Sequence, residues 1–588
     1  MRRKTFKRTL VSAAVLLAST QASAALYQVV EKNPSVSGYE SAFGVAIQPG
    51  DASDGVTSLS QGCFDSSATN CDETSFAFAG ETRTVAINAG QAVDGISYRE
   101  EVPWGLDNAF IYIQDQDDFE DYCNSELLYA TCESWAQVRW DVWNNEKSGS
   151  TTPNAIAFVD STLVDSSNTY NTVVNSLDSS GNAVGIKLKA GSVTYASGSN
   201  GGYIRDDVTG LYGSSSSYSD PTSDEDNGDQ VRAWKTDGTF ISGSIATNYT
   251  NGSYGTYYSS KPALWSADGS SVVSLDWPSG KQEEDDRLAQ GSIRDFYVDT
   301  TNDEIYAVGY STFDDDNNYM NAAVFKVAYT GSSDTDWETA GNWSTLSVAN
   351  ATSEDGDDYI YSNSKLTAMN SNLVAIGEAK RDGNHPANGA AANRMFVVSD
   401  VSASSPKATY FSGGIFFSGA GGKAEAINDY NEIVGQVDAE NVRENDGKVR
   451  RKRAFIYPYS GTGTDSTRRA RFSNQAWWLD NLTNGGTYSS ANNEYRIIDA
   501  SGINNAGVIS ATALKCDGGY DSTAYNATCG GGDQDETTVA VELLPIAGAT
   551  ASDISERGED TQEVSRSGGS LGLGTLIALG LFGFRRRK

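Results

Sequence analysis

Between Arg443 and Arg471 the chain gathers nine basic residues, Arg443, Lys448, Arg450, Arg451, Lys452, Arg453, Arg468, Arg469 and Arg471, against three acidic ones. Guanidinium forks meet two-oxygen groups with paired N–H bonds, so such an island suits the carboxylate or sulfate groups of an acidic glycan. Arg450, Arg451, Lys452, Arg453, Arg468, Arg469 and Arg471 are the candidate ligand-binding residues. Tyr457, Tyr459, Phe472, Trp477 and Trp478 interleave with them, and sugar rings stack on side chains of this kind. Two plainer readings compete: the cations pair with acidic neighbours, and the tryptophans fill a core.

Catalytic constellations are harder to find. A Ser-His-Asp triad needs a histidine beside its nucleophile, and the single histidine, His385, sits in the turn-like string Asp382-Gly-Asn-His-Pro386. The one G-x-S-x-G string, Gly568-Gly-Ser-Leu-Gly572, lies in a terminal segment without the strand–turn–helix setting a nucleophile elbow requires. Glycoside hydrolysis needs two carboxylates at a set separation, and 77 acidic residues single out no pair. No catalytic residue is assigned. The leading expectation is a non-catalytic binding protein; the alternatives are an extracellular polysaccharide hydrolase or lyase and a structural component of the envelope or matrix.

Transition metals find few ligands here, and the metal site is left unassigned. Calcium is the one cofactor the composition leaves open, through carboxylate loops at Asp115 to Asp121, Asp224 to Asp229, Asp314 to Asn318 and Asp355 to Asp358. None completes an EF-hand loop. The six cysteines fall into local pairs, Cys63 with Cys71, Cys123 with Cys132 and Cys516 with Cys529. Zinc would ask for C-x2-C spacing or nearby histidines, so three small disulfide loops in an exported protein are expected.

The elements that must carry these residues are written as a repeat. Lys423-Ala-Glu-Ala-Ile-Asn-Asp-Tyr-Asn-Glu-Ile-Val-Gly435, then Arg453-Ala-Phe-Ile-Tyr457, echoes Arg83-Thr-Val-Ala-Ile-Asn-Ala-Gly-Gln-Ala-Val-Asp-Gly95, then Asn108-Ala-Phe-Ile-Tyr112. A polar residue and a glycine seven positions later recur as Gln48/Gly55, Asn88/Gly95, Asp178/Gly185, Asn370/Gly377 and Asn428/Gly435, with looser copies at Asp299/Gly309 and Asn504/Ala511. Each unit reads as a strand, an Asx-type turn and a returning strand. A third strand follows, as at Arg232–Trp234, Lys261–Trp265, Ala323–Phe325, Arg394–Val398 and Arg453–Tyr457. The expected fold is all-β, a β-propeller of seven blades (six to eight) with long loop insertions, over residues 25–545. Residues 546–569 read as a flexible stalk.

Both ends look like addresses. Arg2, Arg3, Lys4, Lys7 and Arg8 precede an apolar run and Ala22-Ser23-Ala24, so residues 1–24 are a signal peptide cut by signal peptidase after Ala24. At the other end, Ser567-Gly568-Gly569-Ser570, an apolar run from Leu571 to Phe584 and Arg585-Arg-Arg-Lys588 form a stop, so residues 570–588 are an anchor. Fourteen residues in helix would span about 21 Å, shorter than a ~30 Å hydrocarbon core.

This tail resembles the GlyGly-CTERM sorting signal, which implies cleavage near Gly568 and Gly569 by an intramembrane serine protease, the rhombosortase. The pattern A-x-x-I-N-x-x-G-x-I-V-G followed by R-A-F resembles the HAF-type extracellular repeat, with Arg453, Asn108 or Arg394 where its histidine usually stands. Together they resemble an exported bacterial family built on such repeats. The resemblance implies a protein anchored first in the inner membrane through its tail, then placed at the cell surface or outside. It implies no activity. Of the 43 Lys and Arg residues nine lie in the two end segments, against none of the acidic ones, so the body is more acidic than the whole-chain charge of −34. Such a surface repels nucleic acid; the partners expected are the two proteases and a glycan or other surface ligand.

Overall fold

In a computed structural model, the described residues are 25–84, 115–124, 132–167, 169–195, 197–199, 201–205, 207–213, 230–253, 255–284, 287–313, 318–352, 354–355, 358–359, 364–381, 393–442 and 450–560. Ala24, Asn88, Gly95, Asn108, His385, Arg443, Lys448, Gly568 and Gly569 lie outside them, as do the signal peptide and the anchor. Among the described residues no helix is long and apolar enough to cross a membrane.

The chain is an all-β propeller. Its repeat glycines identify the blades. The Gly185 blade has three strands, Tyr170–Leu177, Ala183–Lys189 and Val208–Gly213. The Gly243, Gly309, Gly377 and Gly435 blades are four-stranded meanders beginning at Gln230, Ser292, Ser364 and Gly422. Five separate blade sheets therefore stand where seven were expected. The physical reason is a junction: strands at the two ends of the chain are joined into one eight-stranded sheet by a single parallel bridge, Ser41 to Thr538. Strand Tyr27–Glu31 pairs along its whole length with Thr537–Pro545, so the first strand completes a sheet built by the last ones.

Each blade is buried on both sides, and its strands are apolar runs to match. Glu432–Asp438 is buried at every position. Tyr306 and Val308 pack with Leu366, Ala375 and Phe396 of the next blade, and Val434 and Ile456 with Ile497, Ile509 and Val541. Trp477 belongs to this packing, as the plainer reading had it.

Register explains the recurring glycine. In each repeat the first strand carries a β-bulge: the register shifts between Gly44 and Ala46, Val174 and Ser176, Ala233 and Lys235, Ile293 and Asp295, Leu366 and Ala368, Ala424 and Ala426, and Ala500 and Gly502. The residue just before the bulge faces Gly80, Gly185, Gly243, Gly309, Gly377, Gly435 or Ala511. A Cβ built on Gly185, Gly243, Gly309 or Gly435 would lie between 1.8 and 2.0 Å from a carbonyl oxygen of the bulged strand. The glycine is there because backbone approaches backbone, and not for positive φ, which these four lack.

The register also corrects the repeat. Gly55 lies in an insertion after strand Ser41–Ile47, whose returning strand is Phe78–Arg83. Arg232–Trp234 belongs to a first strand, not a third. A helical insertion, Gln116–Tyr122 and Cys132–Lys147, departs from a purely β chain; Trp135 and Trp143 pack it onto Val173, Ile186 and Leu188. Residues 546–560 are not a free stalk. They turn through Ala551–Asp553 and lie against the body as far as Asp560, with Arg557 only 4% exposed.

Candidate functional site: the central channel

The bulges give the channel its lining. A bulge leaves one unpaired residue and re-aims its side chain. Asn175, Trp234, Arg294, Thr367, Glu425 and Ser501, each the extra residue of its strand, line one cavity of about 150 Å³, with Ala46 and Ile47 completing the circuit. Three of them fasten neighbouring inner strands. Asn175 Nδ2 donates to the Ala233 carbonyl at 2.8 Å, Thr367 Oγ1 to that of Ala424 at 2.7 Å and Ser501 Oγ to that of Gly44 at 2.6 Å.

The circuit is uneven. The Gly243 and Gly309 blades contribute Trp234, Lys235, Arg294 and Asp295, and the next two contribute Lys365 and Glu425; Ile47, Pro49, Leu177, Ile427 and Ile503 make the rest largely apolar. Arg294 lays its guanidinium 3.4 Å from the centre of the Trp234 ring, a cation–π contact. Asp295 accepts from the backbone N–H groups of Phe296 at 2.8 Å and Met369 at 3.0 Å. Burial raises its carboxyl pKa above the ordinary range, and Lys235 opposes that shift from 4.0 Å away. Lys365 is closed off by an ion pair to buried Glu378 at 2.9 Å. Among the described lining residues, Lys235, with 38% of its side chain exposed, is the accessible cation.

At one end of these strands the Asx turns form a second circuit. Asn370 Nδ2 donates to the Asn428 carbonyl at 2.9 Å, Asn428 Nδ2 to that of Asn504 at 3.1 Å, and Asn504 Nδ2 to that of Gln48 at 3.1 Å. Gln48 Nε2 continues to the Ser179 carbonyl at 2.8 Å. Asp178, Asp237 and Asp299 occupy the corresponding turns elsewhere and, among the described residues, accept backbone N–H bonds within their own turns.

The arginine island goes elsewhere. Arg450 is buried against Asp438 at 2.9 Å and the Gly419 carbonyl, and Lys452 pairs with the same aspartate. Arg453 pairs with Asp480 and faces Trp478 at 4.3 Å. Arg468 grips Glu432 with Nε at 2.7 Å and Nη2 at 2.8 Å, and its Nη1 donates to the Ser60 carbonyl at 3.1 Å. Arg469 holds the Pro458 carbonyl and Asn474, and Arg471 holds Ala549 and Gln61. Arg451, the exposed one, donates to the Tyr525 carbonyl at 3.0 Å. The expected ligand surface is thus a set of internal ties. The strand that carries Arg453 begins at Lys452.

The cysteines pair as expected, Cys63–Cys71, Cys123–Cys132 and Cys516–Cys529, with Cα separations of 5.5, 5.5 and 5.6 Å. Among the described residues no group of three His, Cys, Asp or Glu side chains is placed to hold a metal ion. Sequence reading missed the channel residues. Their signal was present: Asn175, Trp234, Thr367, Glu425 and Ser501 each stand three positions before the turn residue, at Asp178, Asp237, Asn370, Asn428 and Asn504.

No curated protein matches the sequence. From the Gly243 blade through the basic end, over residues 229–587, the sequence fits the family described as protein of unknown function DUF3466; that is more than half of the chain, which belongs to this family.

Proposed function

We propose that this protein is a non-catalytic binding protein, exported and tethered through its C-terminal tail, that receives an anionic group of its ligand in the central channel. The observation that carries the reading is Lys235, an accessible cation beside Trp234 and Arg294 in a cavity fed by inner strands. A cavity of about 150 Å³ is smaller than the ~300–1,000 Å³ that encloses a whole small molecule. It admits a carboxylate or sulfate substituent while the rest of the ligand lies over the mouth. An acidic glycan suits that arrangement, with the channel taking its anionic group in place of the arginine island, whose cations hold internal partners. The hydroxyls of Thr367 and Ser501 are spent on carbonyls, which favours binding over chemistry.

The ring is read as seven radial units. The eight-stranded sheet supplies two, one ending in Thr537–Pro545 and closed by Tyr27–Glu31, the other starting at Ser41–Ile47, since each half has its own bulge and only one bridge joins them. Closure of the last unit by the first strand is a usual way for a ring of blades to hide its edges.

Calorimetric titration of the purified protein with uronate-bearing and sulfated oligosaccharides tests the function. Binding that Lys235→Ala weakens at least tenfold, and that Arg451→Ala leaves unchanged, supports the reading. Binding insensitive to Lys235, or hydrolysis of the oligosaccharide, defeats it.

A further inference from the structure

The described chain ends in a strap, residues 551–560, and one side chain holds it down. Arg557 inserts between the segment 480–493 and the disulfide loop of Cys516–Cys529, and each of its nitrogens donates to an acceptor. Its backbone N–H donates to Asn481 Oδ1 at 3.1 Å and its Nε to the Asp480 carbonyl at 2.8 Å. Nη1 donates to Asn493 Oδ1 at 3.2 Å and the Thr523 carbonyl at 3.1 Å, and Nη2 reaches Thr483 Oγ1 and the Asn492 carbonyl. The flanking backbone is held as well. Asn484 Nδ2 donates to the Ser555 carbonyl at 3.1 Å, the Tyr525 N–H to the Gly558 carbonyl at 3.0 Å, and Asn526 exchanges two hydrogen bonds with the Asp560 backbone.

We propose that this wall of the propeller is a peptide-binding site that recognises arginine, occupied in the resting protein by the chain's own Arg557. A planar guanidinium presents five N–H donors in a fixed fork, and a lysine ammonium presents three at one point. The acceptors here, spread around Nε, Nη1 and Nη2, fit the fork. Charge makes the occupant releasable. Asp480 is the carboxylate that opposes Arg557, Arg496 and Arg453 together. Burial, then Arg557 itself, pushes Arg496 down to about 9, and burial with repulsion from Arg453 lowers Arg557. Withdrawal of the strap removes one cation from that cluster and hydrates it. Ile554 packs on the core, so the strap is held by one apolar contact and a set of hydrogen bonds. A site of this kind accepts an arginine-bearing peptide in place of the strap, and the strap sets the threshold.

Trypsin reads the docking and a labelled peptide reads the site. In the wild-type full chain, trypsin should cut after Arg557 at least tenfold more slowly than in a free peptide of residues 552–560. That peptide should bind the full-chain Arg557→Ala variant and bind at least tenfold more weakly when it carries Arg557→Lys. The wild type should bind neither, because its own strap fills the site. Cleavage in the wild type at the free-peptide rate, equal binding of the two peptides, binding of neither by the folded variant, or equal binding by wild type and variant each overturns the proposal. Should Arg557→Ala fail to fold, full-chain Arg557→Lys takes its place with the same peptides and the same outcomes.

Discussion

Two halves of the ring solve the same turn differently. From Asn370 through Asn428 and Asn504 to Gln48, an amide caps its own turn and donates across to the next one. From Asp178 through Asp237 to Asp299 the turn residue is a carboxylate, which caps its own turn but has no proton to give. The amide half contains the junction where the chain's two ends meet; the aspartate half contains Trp234, Lys235, Arg294 and Asp295. The amide turns tie the ring across its seam, and the charged site stands in the half whose turn residues are carboxylates. Binding chemistry and closure are thereby separated, and each half is open to perturbation by itself.

The bulge is common to both halves, so breaking it should not distinguish them. Gly243→Ala and Gly435→Ala place a Cβ against the Arg232 and Lys423 carbonyls. Each should cost about 3 kcal/mol, the upper end of overpacking penalties. Gly341→Ala, with no atom within 4 Å of the new Cβ, should be neutral. Chemical denaturation of the three variants checks this. Unequal losses at Gly243 and Gly435 would mean the two halves do not share a backbone rule.

That rule shows what the sequence could and could not reveal. Turn residues and glycines were readable because Asx capping and close backbone approach restrict residue type. The third strands at Lys261–Trp265, Ala323–Phe325, Arg394–Val398 and Arg453–Tyr457 were readable from their apolar runs. The channel residues were opaque because the bulge position tolerates Asn, Trp, Arg, Thr, Glu and Ser alike; it is defined by register, which no single side chain reports. The arginine island misled for the opposite reason. Basic clustering is visible in sequence, whereas the partners Glu432, Asp438 and Asp480 arrive by folding. The strap was missed because Ser, Glu and Gly are residues of a tether until Arg557 finds its pocket.

At the seam, Glu542 offers a pH test of closure. It is fully buried, paired with Lys32 at 2.8 Å just beyond the closing strand, and its carboxyl is pushed up to about 7, by burial first, with Lys32 opposing and Asp160 and Glu73 adding to the rise. A raised carboxyl pKa means the fold favours the neutral form. That contribution is complete below the ordinary value of 4.5 and is lost as pH rises through 7. Wild-type stability should therefore fall between pH 5 and pH 8, by up to about 3 kcal/mol from this group. Glu542→Gln should flatten that slope, raising Tm at pH 8 and leaving it alone at pH 5. An unchanged slope would remove Glu542 from the account of closure.

Exchanging the turn residues sharpens the comparison directly. Asn428→Asp loses the donors to the Asn504 carbonyl and to Glu432 Oε2 and sets a carboxylate beside Glu432. We expect a cost of about 2 kcal/mol, a lost hydrogen bond plus an uncompensated acceptor. Asp178→Asn keeps an acceptor for its own turn but loses the bond accepted from Asn182 Nδ2, so it should cost about 1 kcal/mol, half the loss at Asn428. Equal effects at the two positions would show that the cross-links carry no stability.

The smallest expected effect on the fold falls on the residue with the largest expected effect on binding. Lys235 is more than a third exposed and stands 4.0 Å from Asp295, so screening leaves the pair worth less than about 1 kcal/mol. Asp295 also keeps its two backbone N–H donors when the lysine is removed. Lys235→Ala should therefore leave Tm nearly unchanged at pH 5 and at pH 8. Anion binding, by contrast, should be lost at both. A large drop in Tm would make Lys235 a structural partner of Asp295. The charged half of the ring would then be another closure device, and the division between seam and site would fail.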